Sequence, residues 1–169
     1  LEKNGWDLAD YCDKGWDGVI PLDKEKQVLI AHEGAYVKKI EEINPISIIK
    51  TPSGETVIDI GQNMVGWVRF NVKGKAGDKV VLQHAEVLDK NGNFYIENLR
   101  SAKQRIEYIL KGSEIETYEP HFTFQGFRYV KLVEYPGNPS LDDFRGIVIH
   151  SDLEPTGNFE CSNELVNQL

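Results

Sequence analysis

Two side chains able to move protons stand two apart at His84 and Glu86, within the stretch HAEVLD. Residues two apart on a strand project from one face, so the pair could act as acid and base or supply half of a metal site. A metal needs further ligands, and none stands at motif spacing. The plainer reading is a polar pair tying a sheet to a loop. Asp59, Gln62 and Asn63 offer a carboxylate and two amides to a sugar hydroxyl, or equally to their own backbone, as Asx residues do in turns. Trp67 and Arg69 share one face of an alternating run and suit either a sugar platform or a surface covered by a neighbouring domain. Arg100 and Arg128 are candidates for fixed ion pairs. No G-x-S-x-G, phosphate loop, H-E-x-x-H or dinucleotide fingerprint is present in the sequence.

Calcium is hinted at twice and completed nowhere. Asp89, Asn91 and Asn93 fall on positions one, three and five of a calcium loop, but Phe94 stands where glycine is required and Arg100 where a bidentate Glu is required. Asn91-Gly92 is instead a strong hairpin signal. The chain begins with Asp7, Asp10, Asp13 and Asp17 among Trp6, Tyr11 and Trp16. That mixture suits a sugar or calcium site, or the end of a preceding domain with Trp6 and Trp16 as packing plugs, and the second is favoured. No metal site is assigned and no cofactor is implied, with calcium left to experiment.

Strands must position these groups. Thr56–Ile60 is rich in β-branched residues, and Trp67–Val72 alternates, with Val68, Phe70 and Val72 on one side and Trp67, Arg69 and Asn71 on the other. Gly61 and Gly66 bracket Gln62, Asn63, Met64 and Val65 between them, which predicts a polar turn. Val80–Ala85 predicts another strand. Asn98–Lys111 reads two ways, since Leu99, Ala102, Ile106 and Ile109 fit a helical stripe and Ile106, Tyr108 and Leu110 a strand; its flanks of strands and glycine turns favour a strand over Arg105–Leu110. His121–Tyr135 predicts a long aromatic strand carrying Phe122 and Phe124, with Gly126 as its bulge, because alternation changes parity there. Ile147–Ile149 is apolar on both faces, as a central strand would be. Val28–Ile30 is a short apolar run, Tyr36–Ile43 could be helix or strand, and Ile46–Ile49 ends at the turn Thr51-Pro52-Ser53-Gly54. Short strands separated by turns, without long helices between them, predict an all-β fold, an antiparallel sandwich.

Bulk properties are those of a soluble globular chain: 169 residues, 40% hydrophobic and 27% charged. A formal net charge of -8 argues against nucleic acid or an anionic membrane as partner. No apolar run reaches the ~20 residues of a membrane-spanning helix. Cys12 and Cys161 lie far apart and are expected as free thiols. Both ends read as cut. The chain starts at Leu1, and SNELVNQL at its end reads as a helix just begun, capped by Ser162 or Asn163, with Leu165, Val166 and Leu169 as its stripe.

Several ordered pieces together resemble the bacterial α-L-rhamnosidase family, in its concanavalin-like (jelly-roll) sandwich domain just before the catalytic barrel. They are DIGQNMVGWVRF at Asp59–Phe70, HAEVLD at His84–Asp89, NLRSA at Asn98–Ala102, FTFQGFRYV at Phe122–Val130, VIHSDL at Val148–Leu153 and GNFECSNELVNQL at Gly157–Leu169. Gln125 departs from the pattern, which has histidine there. The resemblance implies residues 1–30 as the tail of a preceding carbohydrate-binding-like domain or a linker, 31–160 as the sandwich, and 161–169 as the start of a helix toward an (α/α)6 barrel. It implies that the larger protein hydrolyses terminal α-L-rhamnosides with inversion, using two carboxyl groups of that barrel. No catalytic residue is carried onto this chain, which is expected to be a non-catalytic module buttressing its own barrel. The alternative is a module that itself recognises rhamnose-containing glycans. The family is bacterial; the choice between periplasm and exterior is not legible.

Overall fold

The computed structural model describes residue 3 and residues 5–167. Eight strands follow one another: β1 Val37–Ile43, β2 Ser47–Lys50, β3 Thr56–Val72, β4 Lys79–Ala85, β5 Arg105–Ile109, β6 Glu116–Tyr118, β7 Gln125–Glu134 and β8 Phe144–Ser151. All pairings are antiparallel, and the sheet runs β1-β8-β3-β7-β4-β5, with β2 and β6 also pairing with β3. The fold is all-β, as expected.

Strand β3 organises this sheet. The predicted turn at 61–66 does not form, and the chain runs on as one strand of 17 residues. Its first half lies between β2 and β7, and its second half between β8 and β6. Gly66 is where the partners change, since it pairs with Gln125 of β7 on one side and Val148 of β8 on the other. Neighbouring strands twist relative to one another, and a strand shared by two sets of neighbours curls the sheet over on itself. The enclosed core takes Ile58, Ile60, Met64, Val68, Phe70 and Val72 from β3, together with Val80, Leu82, Phe127, Val130 and Phe144. The inward set Val68, Phe70 and Val72 agrees with the alternation in the sequence.

The polar corner is a bulge. Asp59 pairs with Tyr129 and Met64 with Phe127, so four β3 residues face one of β7 across the irregularity. Gly61, at φ +94°, takes a conformation that a side chain would strain. On β7 the buried residues are Gln125, Phe127 and then Val130, so parity changes at Arg128–Tyr129 and not at Gly126. Phe122 and Phe124 precede β7 and are exposed, and Val28–Ile30 forms no strand. Strand β1 settles Tyr36–Ile43 as an edge strand, protected by its Lys and Glu side chains. At the far end, Glu164–Asn167 forms one helical turn, with the Asn163 side chain accepting from the Leu165 N–H at 3.0 Å. Leu169, the last residue of its predicted stripe, lies outside the described residues. Cys12 and Cys161 are free thiols.

Candidate functional site

The polar residues singled out in the sequence converge around the β3 bulge. Asp59 is nearly buried and accepts from the Gly61 N–H at 2.7 Å and from Arg128 Nε and Nη2 at 2.8 and 3.0 Å. Burial opposes its charge, but the bonds from Arg128 and Gly61 outweigh that and hold Asp59 below the ordinary carboxylate range. The expected ion pair of Arg128 therefore exists, and it clamps the bulge to β7. Arg128 also lies over the Tyr129 ring, 5.1 Å from its centroid. Arg100 makes no such pair; it is exposed and has no ion-pair partner among the described residues.

His84 and Glu86 do not act together. His84 is completely buried at the end of β4, with Nδ1 2.9 Å from the Gln104 carbonyl and its ring edge-on to Phe127. Burial pushes its pKa down to about 4, against a small opposing effect of that hydrogen bond, so His84 is neutral. Glu86 lies just past Ala85, the last residue of β4, and accepts instead from Asn63 Nδ2 at 3.3 Å. An acid–base dyad needs both groups at one reacting atom, and these point apart. Among the described residues, three buried side-chain polar atoms lack a hydrogen-bond partner: His84 Nε2, Gln104 Oε1 and Gln125 Oε1. Gln62, Asn63 and Val65 are exposed on the outer side of the bulge, where Val65 stands in register with Gly126, two residues from exposed Phe124.

Trp67 corrects the sequence reading most directly. Only 8% of it is exposed, and it packs with Ile147 and Ile149 in a second cluster behind β3 and β8. Its Nε1–H donates to Glu119 at 3.1 Å, and Lys39, which also binds Glu119, lies 5.8 Å from the ring centroid. Arg69 is held by Glu42 through two bonds of 2.7 and 2.5 Å. A buried indole cannot stack on a sugar. Glu119 and Glu42 come from 52 and 27 residues away, and no local pattern announces them. Among the described residues no cluster of His, Cys, Asp or Glu is arranged to hold a metal ion, and no helix is long and apolar enough to cross a membrane.

Comparison with known proteins follows the same motifs. The family described as the bacterial alpha-L-rhamnosidase concanavalin-like domain matches residues 49–150. An alpha-L-rhamnosidase of Streptomyces avermitilis is 40% identical over 169 residues, covering 99% of this chain and 16% of the relative. Its crystal structure, complexed with L-rhamnose, superposes with a TM-score of 0.87. The native alpha-L-rhamnosidase from Aspergillus terreus superposes with a TM-score of 0.89 at 38% identity, covering 99% of this chain and 20% of that one. The chain thus spans a fifth or less of the proteins it matches.

Proposed function

Because the chain belongs to the bacterial α-L-rhamnosidase concanavalin-like domain family, we propose that it serves as a non-catalytic sandwich module within a larger enzyme that removes terminal α-L-rhamnose by inverting hydrolysis. One observation carries this reading. Glycoside hydrolysis needs a carboxylic acid whose pKa is raised, so that it still holds a proton to give to the leaving oxygen. Here Glu42, Glu55, Asp59, Asp89, Glu116, Glu119 and Asp152 are all displaced the other way, each held ionised by internal hydrogen bonds or cations. Among the described residues no displaced carboxyl rises. All seven are committed to bonds within the fold.

The exposed face of the bulge is the part we assign to the rest of the enzyme. Gln62 and Asn63 offer amides beside Val65 and Phe124, and Phe122 is fully exposed at φ +58°, a conformation rarely adopted by bulky residues. A polar and aromatic surface of this kind is suited to pack against the (α/α)6 barrel of the same chain, which would supply the acid and the base. Trp67 is buried within the module, and Arg69 is tied to Glu42 at the module's own surface.

The test is direct. This chain, incubated with an aryl α-L-rhamnoside, should release no rhamnose, while the whole Streptomyces relative does so under the same conditions. Turnover by the chain alone would overturn the non-catalytic reading.

A further inference from the structure

The two ends of the curled sheet meet in an aromatic seam. Tyr108 of β5 and Tyr118 of β6 stack with centroids 4.4 Å apart, and Phe70 of β3 lies 6.0 and 5.6 Å from them. Beside the seam opens a cleft of about 620 Å³, lined by Trp6, Tyr108, Thr117, Tyr118, Glu119 and His121. From this geometry we infer a saccharide subsite that takes one neutral pyranose of a rhamnose-containing glycan. The choice of sugar rests on the rhamnosidase family reading; the existence of the site rests on the cleft.

Size and lining agree. Ligand pockets run to several hundred Å³, mostly apolar, with a few polar groups that fix orientation. Aromatic walls match the C–H face of a pyranose. The Trp6 indole is half exposed and free to stack, unlike that of Trp67. The polar groups are of two kinds. Glu119 is fixed, its carboxylate held by Trp67 and Lys39, and each carboxylate oxygen keeps a second lone pair for a sugar hydroxyl. The Tyr118 hydroxyl and the His121 ring nitrogens make no side-chain hydrogen bond among the described residues, so both can donate to or accept from a ligand, while their rings are held by Tyr108 and Phe122. An ionised Glu119 in a chain of net charge -8 selects a neutral sugar over an acidic one. The acidic, tryptophan-bearing start of the chain thereby contributes through Trp6, while its aspartates are not among the lining residues.

Calorimetric titration of the chain with L-rhamnose and with methyl α-L-rhamnoside tests the site. Saturable binding is expected, with a Kd of about a millimolar, as befits a single sugar unit on an open site. Trp6→Ala and His121→Ala alter exposed side chains, so the melting temperature should hold while affinity falls about tenfold. Trp16→Ala lies outside the cleft and should leave binding unchanged. No saturable heat from the unmodified chain, or binding that survives Trp6→Ala intact, overturns the proposal. Rhamnose release by the chain would contradict the non-catalytic reading and leave this one standing, so the two fail separately.

Discussion

At the scale of single residues, two glycines of the family-like motifs do opposite work. A Cβ placed on Gly66 would stand 1.8 Å from the Ile147 carbonyl oxygen, and that atom belongs to a paired strand that cannot retreat. On Gly126 the nearest atom would be Glu86 Oε1 at 3.6 Å, an ordinary contact with a side chain that can move. Gly66→Ala is therefore expected to cost at least about 3 kcal/mol, in the range of severe backbone or packing damage, and Gly126→Ala under about 1 kcal/mol. Urea unfolding of both variants decides it, and similar losses would refute the assignment of the crossover to Gly66. The sequence shows that both positions are glycine inside strand-like runs, but not which backbone approaches which. The same blindness governs Trp67. Its parity, opposite Phe70, is legible from alternation. Its burial is not, because Glu119 and Lys39, which cover it, belong to segments 52 and 28 residues away.

At the scale of elements, strong alternation was legible and short or bent pieces were not. Strand β4 sits where alternation puts it, β8 where a run apolar on both faces marks a central strand, and β5 where the flanking strands and turns favoured a strand over a helical stripe. Strand β6 has three residues and no periodicity to read; it exists because β3 offers Phe70, Asn71 and Val72 as partners. It is also held by Glu116, a buried carboxylate that accepts from the Tyr108 hydroxyl at 2.7 Å and from the backbone N–H of Lys111, Gly112 and Ser113 at 3.0, 2.8 and 3.0 Å. Burial alone would raise its pKa, but these donors outweigh it and keep Glu116 ionised. One side chain thus ties the β5–β6 connection to the aromatic seam that closes the sheet. Glu116→Ala would strand three N–H groups, each costing about 1–3 kcal/mol if no water replaces the carboxylate. A net loss of about 3 kcal/mol is expected, with a smaller loss for Glu116→Gln, which keeps two of the contacts. Denaturant melts that placed both within about 0.5 kcal/mol of the unmodified chain, the range of neutral surface changes, would show that the seam closes without this tie.

At the scale of the whole molecule, His84 and the lowered carboxylates favour the folded state in the same direction of pH. His84 has its pKa pushed down to about 4 from an ordinary 6.5 by burial. The unfolded chain therefore takes up a proton as pH falls through 6.5, while the folded chain refuses it until about 4. Stability is fully present above 6.5 and drains by about 1.4 kcal/mol per pH unit across that window, roughly 3 kcal/mol in all. The lowered carboxylates, Asp59 and Glu116 among them, act lower down: their contribution is present above their ordinary values of 3.8 and 4.5 and is lost as pH falls below those values. Two successive windows of acid destabilisation follow, the upper one owed to a single histidine. Against the 5–15 kcal/mol of a typical domain, the first window alone is a large share. Thermal melts between pH 7.5 and 4.5 should show the unmodified chain losing stability steadily below 6.5. The variant His84→Gln, whatever its stability at neutral pH, should hold nearly level until the carboxylates begin to titrate. The slope is the readout, since packing damage would lower both ends of the profile alike. A flat profile for the unmodified chain between pH 6.5 and 4.5 would mean that His84 accepts its proton in place, through the unpartnered Nε2, and that the core around Phe127 is wetter than its geometry implies.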